Sequence, residues 1–317
     1  MKTDLKMKPT RHGYGEALVQ LGKEDERIFV LGADLTSSTS ANFFQEAFPE
    51  RFVQTGIAEQ NMMNIAAGLS LEGKIPFVST YGVFVAGRAW DQIRTTVCYG
   101  NLNVKIGGAH GGISVGPDGA THQALEEITI MRVIPNMNVV VPCDYWETMK
   151  ATKHIALKID GPCYIRFGRE AVPIITEEDS PFEFGKVAVF REGKDASIIA
   201  CGMMVYWALE AAKELEKDGI DVMVVNNHTI KPIDKDGIID AAKKTGAVVT
   251  AEEHQITGGL GGAVAEVLSQ NYPVPMKIVG VEDRFGESGD PWELLEEFGL
   301  TTKFLVKAVK DVIKMKK

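Results

Sequence analysis

The chain has 317 residues, 45% of them hydrophobic and 24% charged, a globular composition long enough for two ordinary domains. Its 34 Lys and Arg against 43 Asp and Glu leave a net charge of −9. That balance excludes a general nucleic-acid binder, which needs a basic surface to neutralise phosphates, but it leaves room for a small, locally basic pocket.

In chain order, short apolar runs alternate with helical patterns, which predicts α/β architecture with doubly wound, mostly parallel sheets. Gly13–Lys23 is a predicted helix, and Arg27–Gly32 (RIFVLG) a buried strand. Helix Glu59–Leu71, strand Lys74–Ser79, helix Val85–Tyr99 and strand Asn103–Gly107 follow. Helix His122–Val133, strand Asn138–Val141, helix Tyr145–Lys158 and strand Cys163–Phe167 complete the series.

From Val172 to Phe184 the pattern breaks into VPIITEEDSPFEF, with two prolines and an acidic cluster, and reads as a linker between domains. The expected organisation is therefore a first domain over 1–175, a linker over 176–188 and a second, smaller domain over 189–317. The second α/β series comprises strand Ala196–Cys201, helix Met203–Lys217, strand Asp221–Val225, helix Asp234–Lys244, strand Ala247–Ala251, helix Gly261–Gln270 and strand Met276–Val281. Closing helices follow.

The cysteines at 98, 143, 163 and 201 show no CxxC pair and no metal-ligand spacing, so reduced buried thiols are expected. The start, Met1 to Lys6, has no apolar signal core, and no run of about 18 apolar residues occurs anywhere. The expectation is a cytoplasmic protein with no membrane partner.

Familiar nucleotide signatures fail. Gly258-Gly259-Leu260-Gly261-Gly262 precedes a helix, but Val264 stands where GxGxxG requires its last glycine. Gly112-Ile113-Ser114-Val115-Gly116 does match the GxSxG nucleophile elbow, whose serine must run straight into a helix. Gly116-Pro117-Asp118-Gly119 argues against such a helix, which disfavours a serine hydrolase.

Three segments carry more chemistry. GIAEQNM at 56–62 places Glu59 in the first turn of an apolar helix, where an acid also suits the helix dipole. Tyr81 and Phe84 lie three apart after a strand and would share a helical face, as core aromatics also do. The Gly-rich loop from Ala109 to His122 carries His110, Asp118 and His122. Titratable side chains among glycines at the end of a parallel strand point to ligand binding.

Together with Thr10-Arg11, Gly32 to Ser38 (GADLTSS) and Ile165 to Arg169 (IRFGR), these ordered segments resemble the transketolase family of thiamine-diphosphate enzymes. The resemblance covers essentially the whole chain as that family's C-terminal half, a pyrimidine-binding domain followed by a C-terminal domain. It implies transfer of a two-carbon ketol unit from a ketose phosphate to an aldose phosphate, as in pentose phosphate metabolism. Glu59 matches the glutamate that bonds the cofactor's aminopyrimidine, Phe84 the aromatic that stacks on it, and Tyr81 a second wall. Gly87 falls where some members carry a third aromatic, and Asp34 resembles an acid near the cofactor. Arg11, Ser38, His110 and Arg169 match residues that hold the sugar phosphate. Asp118 and His122 match residues that bond substrate hydroxyls, and the two histidines stand with Glu59 as the catalytic candidates.

No GDG motif with a downstream Asn, by which the family binds the diphosphate and Mg²⁺, occurs in the sequence. The resemblance therefore implies a separate N-terminal subunit that carries that site, in an α2β2 complex. Three further readings stand beside it: a 1-deoxyxylulose-5-phosphate synthase, the β chain of a 2-oxo-acid dehydrogenase, and a catalytically inactive scaffold subunit. GADLTSS favours transketolase over the first, and the paired histidines count against the second. Glu59, Phe84, His110, His122 and Arg169 together count against the third.

Overall fold

A computed structural model describes residues 6–316. The outermost residues of the two expected domains, 1–5 and 317, lie outside the described residues. The chain builds two main sheets. The first has seven strands in the spatial order Thr229–Lys231, Asn138–Val140, Cys163–Arg166, Lys105–Ala109, Ile75–Tyr81, Ile28–Gly32 and Phe52–Gln54. Every pairing in it is parallel except that of Thr229–Lys231, which lies antiparallel on one edge. The second has five strands in the order Met276–Val281, Val248–Gln255, Ala196–Ala200, Val222–Asn226 and Ala188–Arg191, of which only the last is antiparallel. The architecture is doubly wound α/β, as the alternation of patterns implied.

The inner parallel strands are buried because helices cover both faces, while the edge strands Phe52–Gln54 and Met276–Val281 are partly exposed. Ile75–Tyr81 (IPFVSTY) is buried at every position. Helix Glu59–Leu71 packs through Met62, Met63, Ala66 and Ala67, an apolar stripe at helical spacing. These residues join a core that continues through Val139 and Val141 into Ile199, Val225 and Ile230. One apolar cluster thus bridges the two sheets.

Four features differ from the sequence expectations. The helix expected over Val85–Tyr99 starts at Gly82 and ends at Arg88; a short turn Trp90–Gln92 and a π-helical stretch Ile93–Cys98 follow. The helix expected over His122–Val133 is confined to Glu127–Arg132. Its first turns are lost because the Gly112 amide donates to the Ala124 carbonyl, which holds that segment extended beside the loop. The strand expected to stop at Ala251 runs on to Gln255 and carries Glu252, Glu253 and His254 into the interior. Finally, Thr229–Lys231 comes from the later part of the chain yet completes the first sheet.

Met7–Pro9 also pairs with Ala171–Pro173, closing the start of the first unit on its end. The segment between Pro173 and Ala188 has no helix or strand, and its start is tied by the Asp144 carboxylate to the amides of Ile175 and Thr176. Among the described residues, no helix is long and apolar enough to cross a membrane.

Candidate active site

Parallel sheets leave their ligand crevice outside the carboxyl ends of the strands. Here those ends deliver the candidate residues one strand at a time. Ile28–Gly32 leads to Asp34 and Ser38, Phe52–Gln54 to Glu59, and Ile75–Tyr81 to Tyr81 and Phe84. Lys105–Ala109 leads to His110, Asp118 and His122, and Cys163–Arg166 leads to Arg169.

Four rings form one assembly. Tyr81 stacks on His110 with centroids 3.9 Å apart and on Phe84 at 5.7 Å. His122 meets both aromatics edge-on, at 5.8 Å from Tyr81 and 5.3 Å from Phe84. Thr121 Oγ1 lies 2.8 Å from His122 Nδ1 and orients that ring.

His110 is 1% exposed and takes a left-handed backbone at φ 56°, a conformation unfavourable for a side chain with a Cβ. Its Nδ1 is buried without a hydrogen-bond partner. Burial, reinforced by the charges of Arg11 and Arg169, pushes its pKa down to about 3. The ring is therefore neutral at physiological pH.

The two arginines stand at the other end of the assembly. Arg11 Nη1 donates to the Ser38 carbonyl at 2.9 Å, and its Nε is buried and unpartnered. Burial and then the neighbouring Arg169 charge lower the Arg11 pKa, while Glu170, 3.7 Å from Arg169 Nε, acts in the opposite sense. Arg169 Nη1 donates to the Val115 carbonyl at 2.8 Å and lies 3.6 Å from the Asp118 carboxylate. Two arginine forks beside a serine are suited to an anionic group.

Glu59 opens its helix, is 4% exposed and accepts from Arg88 Nη1 at 2.8 Å. The same guanidinium lies 4.0 Å above the Phe84 ring. Arg88 was not among the sequence candidates. The available signal was its place four residues after Phe84 on a helix, where side chains share a face.

Asp34 stands apart from this cluster. It lies in an exposed turn at φ 60°, with its amide on Gln54 Oε1 at 2.9 Å. Ser114 of the GxSxG match is 3% exposed, within a short 3-10 turn over Ile113–Asp118 that is broken at Gly116. Its amide donates to Glu253, and no histidine bonds its hydroxyl among the described residues, so no nucleophile elbow forms.

A buried carboxylate beside an aromatic face suits a flat, basic, nitrogen-rich ring, and a Cβ at nearby Gly87 would meet nothing within 4 Å. The residues therefore fit the pyrimidine end of thiamine diphosphate. Among the described residues, no group of three or more His, Cys, Asp or Glu side chains is placed to hold a metal ion.

Comparison with known proteins identifies both domains. Residues 6–174 match the transketolase pyrimidine-binding domain, and residues 185–304 the transketolase C-terminal domain. The chain is 46% identical to a Methanocaldococcus jannaschii protein named as a transketolase C-terminal section, over 97% of both chains. It is 44% identical to the 6-deoxy-6-sulfo-D-fructose transketolase subunit of Clostridium sp. (strain MSTE9), over 96% of this chain and 95% of that one. A solved structure described as a split-gene transketolase, inactive β4 tetramer, superposes with a TM-score of 0.91 at 53% identity, covering 98% of this chain and 99% of the other. With both domains matched in order and the crevice built where the pyrimidine-binding sheet ends, the chain belongs to the transketolase family and corresponds to its C-terminal half.

Proposed function

We propose that the chain is the C-terminal subunit of a two-chain transketolase, moving a two-carbon ketol unit from a ketose phosphate to an aldose phosphate. The observation that carries this reading is the juxtaposition of the Glu59–Phe84 seat with the cationic mouth formed by Arg11 and Arg169. Thiamine diphosphate, when bound, supplies a thiazolium carbon that becomes nucleophilic on losing its proton.

Glu59 would bond a nitrogen of the ring through its carboxyl, whose Oε1 here accepts from Arg88 Nη1. Phe84 offers the stacking face, and Tyr81 backs it. His110, neutral at physiological pH, bonds a substrate hydroxyl, and His122 and Asp118 take neighbouring hydroxyls. Arg11 and Arg169, with Ser38, bind the terminal anion. That anion need not be phosphate, since one relative is named for a sulfonated ketose.

The diphosphate and Mg²⁺ fall to an N-terminal subunit, and two copies of each chain form an α2β2 assembly with a large interface. The relative solved as an inactive β4 tetramer supports this need for a partner. The test is an assay with xylulose 5-phosphate and ribose 5-phosphate. The chain alone is expected to be inactive and to gain activity on mixing with a partner that carries the GDG motif. Full activity of the isolated chain overturns the reading.

A further inference from the structure

The loop over residues 111–123 has two sides. One faces the rings and Arg169, through Asp118 and His122. The other is packed on the C-terminal part of the chain. The Ser114 amide donates to Glu253 Oε1 at 2.6 Å, and Glu253 is 5% exposed. A Cβ on Gly112, at φ 95°, would collide with that same carboxylate. A Cβ on Gly116 would meet the Pro291 ring at 2.8 Å, and one on Gly119 would meet the Ser288 side chain. Gln123 Nε2 closes the loop by donating to the Ile113 carbonyl at 3.1 Å and the Glu287 carbonyl at 2.9 Å.

A glycine-rich loop has a large conformational freedom to lose, so something outside it must specify its shape. Glu253 is suited to that task. It sits near the end of the eight-residue strand Val248–Gln255, just past the part, Val248–Ala251, that is paired on both sides. Its carbonyl accepts from Arg166 Nη2 at 2.6 Å, and Arg166 Nε donates to Glu127 Oε1 at 2.5 Å. The backbone that carries the carboxyl is thus anchored by a buried arginine.

We propose that Glu253 is a positioning residue: its buried carboxyl holds the Ser114 amide, and through it the C-terminal domain sets the geometry of the His110–His122 loop without touching substrate. This gives the C-terminal domain a task in catalysis. The inference rests on the loop's proposed role in binding substrate, and on nothing in the cofactor seat. Burial raises the pKa of Glu253, and a neutral amide oxygen accepts from Ser114 as well as a carboxyl oxygen does. Glu253→Gln is therefore the conservative replacement. Glu253→Met fills similar space with no acceptor, and Glu253→Asp withdraws the acceptor by one methylene if the methionine variant does not fold.

The first measurement is amide hydrogen exchange in the full chain. Glu253→Met, or Glu253→Asp, should speed exchange over 112–123 by about tenfold, the order expected for a lost buried hydrogen bond. Glu253→Gln should stay within about twofold of the parent. Glu252→Gln is the control: this neighbouring acid accepts from the Leu260 and Gly261 amides at 2.7 and 2.8 Å, away from the loop. It should leave 112–123 unchanged. The second measurement, in the complex with the partner, should show KM for the aldose phosphate raised about tenfold by the acceptor-less variant and restored by Glu253→Gln. Affinity for thiamine diphosphate should not change.

Unaltered exchange over 112–123 in both acceptor-less variants overturns the proposal. So does an equal effect from Glu252→Gln, or a parental KM despite a loosened loop. If exchange behaves as expected but the parental complex transfers no ketol unit, the functional reading fails while the hold of Glu253 on the loop stands.

Discussion

Arg88 and Glu59 share a 2.8 Å ion pair in which the guanidinium also lies over Phe84, at 4.0 Å from the ring centre. One side chain thereby covers both groups that the proposed cofactor ring would use. A guanidinium and a protonated aminopyrimidine are alike in being planar, cationic and rich in N–H donors, so the two compete for one seat.

Arg88→Ala is accordingly expected to tighten thiamine diphosphate binding to the assembled complex. Arg88 is 48% exposed, and exposed ion pairs are worth about 0–1 kcal/mol, so the gain is at most about fivefold. A titration followed by protein fluorescence measures it. Weaker binding in the variant would show instead that Arg88 supports the cofactor.

Glu59→Gln should keep the fold and the complex while slowing cofactor activation by about 10²–10⁴-fold, the usual worth of a positioned proton-transfer group. Exchange of the thiazolium carbon proton for deuterium, followed by NMR, reads this step directly. An unchanged rate would reduce Glu59 to a helix-start acid.

Arg169→Ala should raise KM for phosphorylated sugars by about 10- to 150-fold, the loss of one charge-assisted hydrogen-bond partner. Unphosphorylated glycolaldehyde should suffer less, though not nothing, because Arg169 also braces the loop through the Val115 carbonyl. Lysine should restore only part of the loss, since it lacks the fork. Equal losses in kcat/KM for ribose 5-phosphate and glycolaldehyde would assign Arg169 to bracing alone.

Acid should destabilise the protein through His110. Its folded pKa is lowered to about 3 by burial and then by Arg11 and Arg169, so protonation favours the unfolded chain, where the pKa is ordinary. The contribution is complete above about pH 6.5 and is lost progressively as the pH falls toward 3. His110→Phe keeps a ring against Tyr81 and removes the titration, so its Tm should fall less steeply between pH 6.5 and 4 than the parent's. Some slope will remain, because burial also lowers His228, to about 4. Identical slopes would refute the assignment.

A fluorophosphonate probe should not label Ser114, which is buried with its amide committed to Glu253. Stoichiometric labelling at that residue would revive the hydrolase reading.

The alternation of apolar strands with helical patterns determined the α/β class, and the helix at Glu59–Leu71 was legible to the residue because its period and its first acid agree. The polar residues among glycines after the strand Lys105–Ala109 were legible for a similar reason: packing gives no use for them there. Such signals are local, carried by side chains a few positions apart. What tertiary structure alone decided depends on partners remote in the chain. Ser114 and Glu253 are 139 residues apart, and the strand Thr229–Lys231 joins Asn138–Val140 across the domain linker. The helix expected from His122 lost its first turns to one such contact, the Gly112 amide on the Ala124 carbonyl. Arg88 shares its helix with Phe84, but its hold on Glu59 spans 29 residues and two elements. Periodicity reports which face of an element is buried; it carries no information about which remote residue will be waiting against that face.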